Sequence, residues 1–300
     1  MSQPGRPDRD ERTRALLRRV RRAVALASRR SSAEAAGAYR STFKGQGLDF
    51  AELGEYVAGD DVRHIDWNAT ARMGRPFVRR YHEDREGTVL LVVDRGANMN
   101  FGSGRERKAE TAAQAAALLA LLAVGNRDRV GLVTYGEAEP LSLAPAKGLT
   151  RAMRVVREVM QPGEPGGEPF GLASALNRAG RLLRRPAMVL LVGDLLDAEG
   201  LEPLGTLAAR HEVLTLAVRD SLERSLPNAG LLRIEGVGVI DTADASLRAR
   251  YAVERAGAEA GVRKYLSRKG VGLVEIEAGD DPLPPVMTWL HRRARQRQGW

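Results

Sequence analysis

The stretch Thr88-Val89-Leu90-Leu91-Val92-Val93-Asp94-Arg95-Gly96-Ala97-Asn98-Met99 decides the fold. Six apolar or β-branched residues run without polar alternation, then give way to an acidic residue and a small-residue turn. That pattern fits a strand buried on both faces, in the middle of a parallel sheet with helices on each side. Asp94 then stands at the sheet's carboxyl edge, where open α/β sheets place ligands at a topological switch point. Its carboxylate either faces such a ligand or caps the turn that follows.

Downstream, the pattern repeats. Residues 107–125 read as an Ala- and Leu-rich helix with Gly125-Asn126 as its stop. Residues 129–135 make a second strand, 139–143 a short edge partner, and 149–160 have helical spacing. Pro162-Gly163-Glu164-Pro165-Gly166-Gly167-Glu168-Pro169 is a loop. A helix over 170–185 is stopped by Pro186, and the apolar run 187–192 ends in Gly193-Asp194. A helix over 201–210 and a strand over 212–218 follow. Two short strands within 231–240, a helix over 246–269, a strand over 272–276 and a closing helix over 282–296 complete the chain. Alternation of this kind implies right-handed crossovers and a doubly wound, mostly parallel, Rossmann-like α/β sheet.

Three hundred residues without a single cysteine exclude disulfides, thiolate metal sites and a cysteine nucleophile, and permit a reducing cytoplasm. No apolar run approaches the roughly 20 residues of a membrane span, and 112–124 is better read as a buried helix. The N-terminus lacks an apolar core with a cleavage site, so a cytoplasmic protein with no transmembrane segment is expected. The net charge of +9 sits at the ends: residues 1–40 hold eleven Arg against four acids, and residues 291–300 four Arg against none. Taken from the total, those excesses of seven and four leave the body between them at −2. Within the arm, Leu17, Val20, Val24 and Ala27 recur at helical spacing among arginines, which predicts an amphipathic basic helix over 12–30. Such an arm binds phosphates or anionic surfaces without reading sequence, or is simply solvated, and specific nucleic-acid recognition is not expected.

Three segments follow: a basic arm at 1–40, a glycine- and aromatic-rich segment at 41–86, and the α/β domain at 87–300. Short strands and turns are expected in the middle segment. There, Gly59-Asp60-Asp61-Val62-Arg63-His64-Ile65-Asp66-Trp67 and, five residues on, Arg72 gather three aspartates, two arginines and a histidine around one tryptophan. Ion pairs anchored by the aromatic ring account for that density. A weaker reading puts His64 and Asp66 on one face of a strand as metal ligands.

Two strands ending in Asp94 and Asp194 suit a hard divalent cation if they converge. At this point the sequence resembles a von Willebrand factor A-type domain. The metal-ion-dependent adhesion site of that domain uses an Asp-x-Ser-x-Ser turn, a threonine from a later loop and a second aspartate. Asp94 and Asp194 match the aspartates, whereas Gly96 and Asn98 occupy the serine positions and the later loop shows no threonine. The resemblance therefore implies a degenerate site with Asp94, Asn98 and Asp194 as its residues, the Asn98 amide oxygen standing in for a hydroxyl, and Mg²⁺ or Mn²⁺ as the candidate ions.

A second resemblance spans nearly the whole chain. Arg40-Ser41, Gly45-Gln46-Gly47-Leu48-Asp49-Phe50, Glu55-Tyr56, the Gly59 to Trp67 motif, Ala71-Arg72, Val78-Arg79 and Asn126-Arg127-Asp128-Arg129-Val130-Gly131 resemble the signature of the domain of unknown function 58 family. That resemblance implies a bacterial protein that works with a MoxR-type AAA+ ATPase on an unknown client protein. The expected function is a non-catalytic interaction adaptor presenting its sheet-edge crevice to a partner, with Gly59, Asp60, Asp61, Arg63, Asp66, Trp67 and Arg72 as a candidate second contact. The alternatives are anionic-surface binding by the basic arm and a metal-dependent hydrolase built on Asp94, Asp194 and His64.

Overall fold

The computed structural model describes residues 49–57, 59–82, 87–161, 168–196, 199–234 and 238–298. The basic arm with its expected helix over 12–30, the start of the signature and the center of the proline-glycine loop lie outside them. Contacts divide the chain into a small unit, Lys44–Glu86, and a large one that contains Gly87–Trp300.

In the small unit, β1 (Asp49–Glu55) and β2 (Phe77–His82) pair antiparallel, with Glu55 opposite Phe77. Between them lie a 3-10 turn, Val62–His64, and a helix, α1 (Trp67–Met73). The helix was not expected from sequence, and its cause is local. Asp66 accepts hydrogen bonds from the N–H groups of Asn68 and Ala69, both at 3.0 Å, which is an N-cap. Gly74, at φ 69°, closes the other end in the left-handed conformation. His64 and Asp66 are therefore not on one face of a strand: the first lies in the 3-10 turn and the second caps a helix.

The large unit opens with β3 (Thr88–Asp94), followed by α2 (Lys108–Gly125), β4 (Arg129–Tyr135) and β5 (Ser142–Ala146). Next come α3 (Leu149–Met160), α4 (Leu172–Leu182), β6 (Met188–Gly193), α5 (Glu202–Ala208) and β7 (Glu212–Arg219). A short α6 (Ser221–Arg224), the hairpin β8 (Leu231–Ile234) and β9 (Gly238–Asp241), α7 (Ala245–Arg268), β10 (Gly272–Glu277) and α8 (Leu283–Gln298) complete it. The edge strand begins three residues later than the sequence reading put it.

The six-stranded sheet runs β10-β7-β6-β3-β4-β5, parallel except for β5. Numbered within the sheet, this is the doubly wound order 3-2-1-4-5-6, whose direction reverses between β3 and β6. Val89, Leu91 and Val93 face the layer of α2, α3 and α8, while Leu90 and Val92 face that of α4, α5 and α7. Each of these five side chains is at most 1% exposed, which is why the strand shows no polar alternation. Helix α2 is long and apolar enough to cross a bilayer, but it lies over the sheet with Ala115, Ala116 and Ala120 fully buried. Its outer side meets α3 through Ala117 and Val156, so it is apolar on nearly every face for reasons of packing.

Candidate functional site

The parallel registers bring the carboxyl ends of β3, β4, β6 and β7 to one rim. Val93 pairs with Val192 and Asp94 with Tyr135, so Asp94 and Asp194 emerge side by side where the strand order reverses. Both are buried. The chain must turn within these few residues, and it does so around Asp94, whose Oδ1 accepts from Gly96 N–H at 2.8 Å. A 3-10 turn, Ala97–Asn100, follows, with Met99 sealed beneath it. The capping and crevice-facing roles left open for Asp94 thus coincide.

Asn98 joins the two acids. Its Nδ2 donates to Asp94 Oδ2 at 3.3 Å and, more weakly, to Asp194 Oδ2 at 3.5 Å. The amide therefore presents its nitrogen to the carboxylates, where the sequence reading expected it to offer oxygen. Gly136 passes behind them at φ 83°, and a Cβ there would lie 2.6 Å from Asp94 Oδ1. Only glycine lets the β4 turn approach this closely.

Four further charged residues complete the cluster. Lys108, in the first turn of α2, is fully buried and its ammonium forms ion pairs with Asp194 Oδ2 and Glu223 Oε1. Arg219, the last residue of β7, donates to the carbonyls of Asp194 at 2.7 Å and Leu195 at 3.0 Å, and its Nη1 lies 3.6 Å from Asp194 Oδ1. Leu195 is held at φ 51°, an uncommon backbone for a branched residue, and the arginine fixes it there. Asp220 accepts from the N–H and hydroxyl of Ser103, both at 2.7 Å, tying the loop before α2 to the end of β7. Beside them, Arg95 pairs with Glu137 at 3.2 Å.

Burial pushes the Asp94 carboxyl above its ordinary value against the pull of the Gly96 N–H and the Asn98 amide, and the Asp194 charge adds to the rise. Burial likewise raises Glu223, against its hydrogen bond to Lys108. For Asp220 burial also acts upward, but the hydrogen bonds from Ser103 and from the Leu222 N–H, with the Lys108 charge, outweigh it and its carboxyl lies below the usual range. Burial lowers the Arg219 guanidinium.

A divalent cation does not fit these residues. Mg²⁺ asks for six oxygen ligands in near-octahedral array. Gly96 has no side-chain oxygen, and a Cβ at that position would fall 2.5 Å from Asn98 Oδ1. Asn98 aims its donor at the acids, and the Lys108 ammonium rests on Asp194. Among the described residues, no group of three or more His, Cys, Asp or Glu is placed to hold a metal ion. His211 precedes β7, at the opposite edge of the sheet from the acids.

The signature residues form a separate network within the small unit. Asp61 Oδ1 accepts from Arg63 N–H at 3.0 Å and its carboxylate grips the guanidinium, the closest contact being 2.8 Å. Asp60 accepts from Val57 N–H at 3.0 Å. Its aspartates thus shape the backbone at turns and a cap. Trp67, expected to anchor the ion pairs, is instead 71% exposed, and Val57, Val62 and Met73 are exposed with it. Gly59 adopts φ 114°, a conformation that favors glycine, and Arg72 is exposed in the last turn of α1.

The sequence reading missed Ser103, Lys108, Arg219, Asp220 and Glu223. A signal existed for two of them: Arg219-Asp220 ends an apolar strand as Asp94 and Asp194 do, and parallel strands end on a common rim. Lys108 left a fainter one. A cation in a helix's first turn opposes the macrodipole and calls for compensation.

The profile of the family described as "Protein of unknown function DUF58" matches residues 52–261. The chain belongs to the DUF58 family. Uncharacterized proteins of Mycobacterium bovis and Mycobacterium tuberculosis are each 32% identical to this DUF58 protein over 267 residues, covering 86% of its chain and 84% of theirs. Among solved structures, an aerotolerance-related membrane protein from Bacteroides fragilis aligns at TM-score 0.41 and 15% identity, over 70% of this chain and 99% of that one. The VWA domain of SpRpn10 aligns at 0.39 and 10%, over 71% and 95%. Similarity at that level carries no argument about function, and the fold reading rests on strand order and direction.

Proposed function

We propose that this DUF58 protein is a non-catalytic interaction adaptor of von Willebrand A type with a degenerate adhesion site. It works in the cytoplasm with a MoxR-type AAA+ ATPase in the assembly or remodeling of a client protein. One observation carries the adaptor reading. At the switch point, exposed Asn98 bridges the buried carboxylates of Asp94 and Asp194, and the Asp194 charge is already met by Lys108 and Arg219. Hydrolysis needs an activated water and a positioned base, whereas recognition needs preorganized groups. This cluster answers the second need. The ATPase partnership draws its support from the family likeness, and a composition free of cysteine is compatible with the cytoplasmic setting.

The exposed Trp67, Val62 and Met73 favor a second contact face in the small unit. Aromatic residues are enriched among the side chains that dominate binding energy. The test is capture of a purified MoxR-type ATPase by wild type, Asn98→Ala and Trp67→Ala, with thermal melts as folding controls. Asn98→Ala is expected to weaken capture by about tenfold, equivalent to about 1.4 kcal/mol, without lowering the melting temperature by more than a few degrees. Undiminished capture by Asn98→Ala removes the crevice from the mechanism, and undiminished capture by Trp67→Ala removes the second face.

A further inference from the structure

We infer that the Lys108 ammonium is the built-in cation of this crevice, taking the role a divalent ion would have beside Asp94 and Asp194, so that the crevice is metal-independent until Lys108 is removed. Lys108 is wholly buried, at the positive end of the α2 dipole. Both circumstances disfavor a cation, and only paired carboxylates offset them. Asp194 and Glu223 supply that pairing from two other elements, one following β6 and the other on α6. The Phe101 ring, its centroid 6.0 Å from Nζ, is a further neighbor favorable to a cation.

What the lysine leaves unsatisfied points the same way. Asp194 Oδ1 and Glu223 Oε2 are buried oxygens without a hydrogen-bond partner. Without the ammonium, the Asp194 and Glu223 carboxylates that it bridges would be left buried with no countercharge between them. The four methylenes and ammonium of one lysine fill the space that would open between them. Truncation to alanine should therefore turn a closed charge cluster into an ion site, whereas methionine, which keeps the bulk without the charge, should not.

The inference concerns the crevice of the proposed function but is read through ion binding, so its failure and that of partner capture are separate results. The experiment measures Mn²⁺ binding by calorimetry and thermal unfolding in EDTA and in millimolar MnCl₂ for full-length wild type, Lys108→Ala, Lys108→Met and Lys108→Ala/Asp194→Asn. Wild type should bind no Mn²⁺ saturably and melt at the same temperature in both buffers. Lys108→Ala should melt about 10 °C lower in EDTA, recover most of that loss with Mn²⁺ and bind one equivalent. Lys108→Met and the double variant should be low-melting and should not recover. If Lys108→Ala does not fold in EDTA, refolding with Mn²⁺ decides: soluble protein only with the ion supports the inference, and equal failure in both overturns it. Saturable Mn²⁺ binding by wild type that Asp94→Ala abolishes also overturns it, as does a folded Lys108→Ala indifferent to the ion.

Discussion

Asp94 carries a pH signature. Its carboxyl is raised in the folded protein, chiefly by burial, so the folded state holds its proton more tightly than the unfolded chain does. The associated stability is complete below the ordinary aspartate value and is lost as pH rises through the folded value. Asp94→Asn keeps an acceptor for Gly96 N–H but cannot ionize. Relative to wild type it is expected to gain stability as pH rises from the ordinary aspartate value through the raised folded value, read as a rising difference in urea midpoint. Gly136→Ala should act in the opposite sense at every pH. A Cβ at φ 83° and 2.6 Å from Asp94 Oδ1 strains the backbone and displaces the carboxylate, at a cost of about 1–3 kcal/mol. Asp66→Ala removes the cap of α1 and should cost that helix about 1 kcal/mol, visible as faster amide exchange at Asn68 and Ala69.

Among the elements, α2 does two jobs: its alanine face lets the helix lie close on the sheet, and its first turn delivers Lys108 to the rim. Ala116→Leu should therefore cost about 1–3 kcal/mol by overpacking, measured as a lower urea midpoint with an unchanged slope. The element also shows where sequence reading stops. Its apolar length and stop at Gly125-Asn126 were legible, because helical spacing and end signals are local. Its ion pairs were not, since Asp194 and Glu223 lie 86 and 115 residues away in sequence. The small unit failed the other way. Its helix is too short for periodicity to show, and in the sequence the Asp66 that caps it reads as one more member of an ion-pair cluster, with a metal site as the weaker alternative.

For the whole molecule, the parallel sheet was the legible part. Fully apolar runs ending at 94 and 194 implied strands buried on both faces, and parallel direction would bring their ends to one rim, while their adjacency stayed a condition that the strand order meets. The charged residues of that rim come from several strands and helix starts, so only the two aspartates carried a motif to be noticed. A chain beginning at Gly87 retains all six sheet strands and both helical layers. It should unfold in one cooperative transition, which agreement between circular dichroism and tryptophan fluorescence would verify. Separate transitions for the two probes would mean that earlier residues contribute to this core.

The Lys108 ion pairs bear on the time course of folding. An ammonium that needs partners from beyond both β6 and β7 finds them only after those strands have docked, so the contact belongs to the last steps of assembly. Lys108→Met should accordingly hasten denaturation and leave the refolding rate nearly unaltered. In a chevron plot only the unfolding arm would move, and the native protein would owe part of its lifetime to a single late-closing clasp.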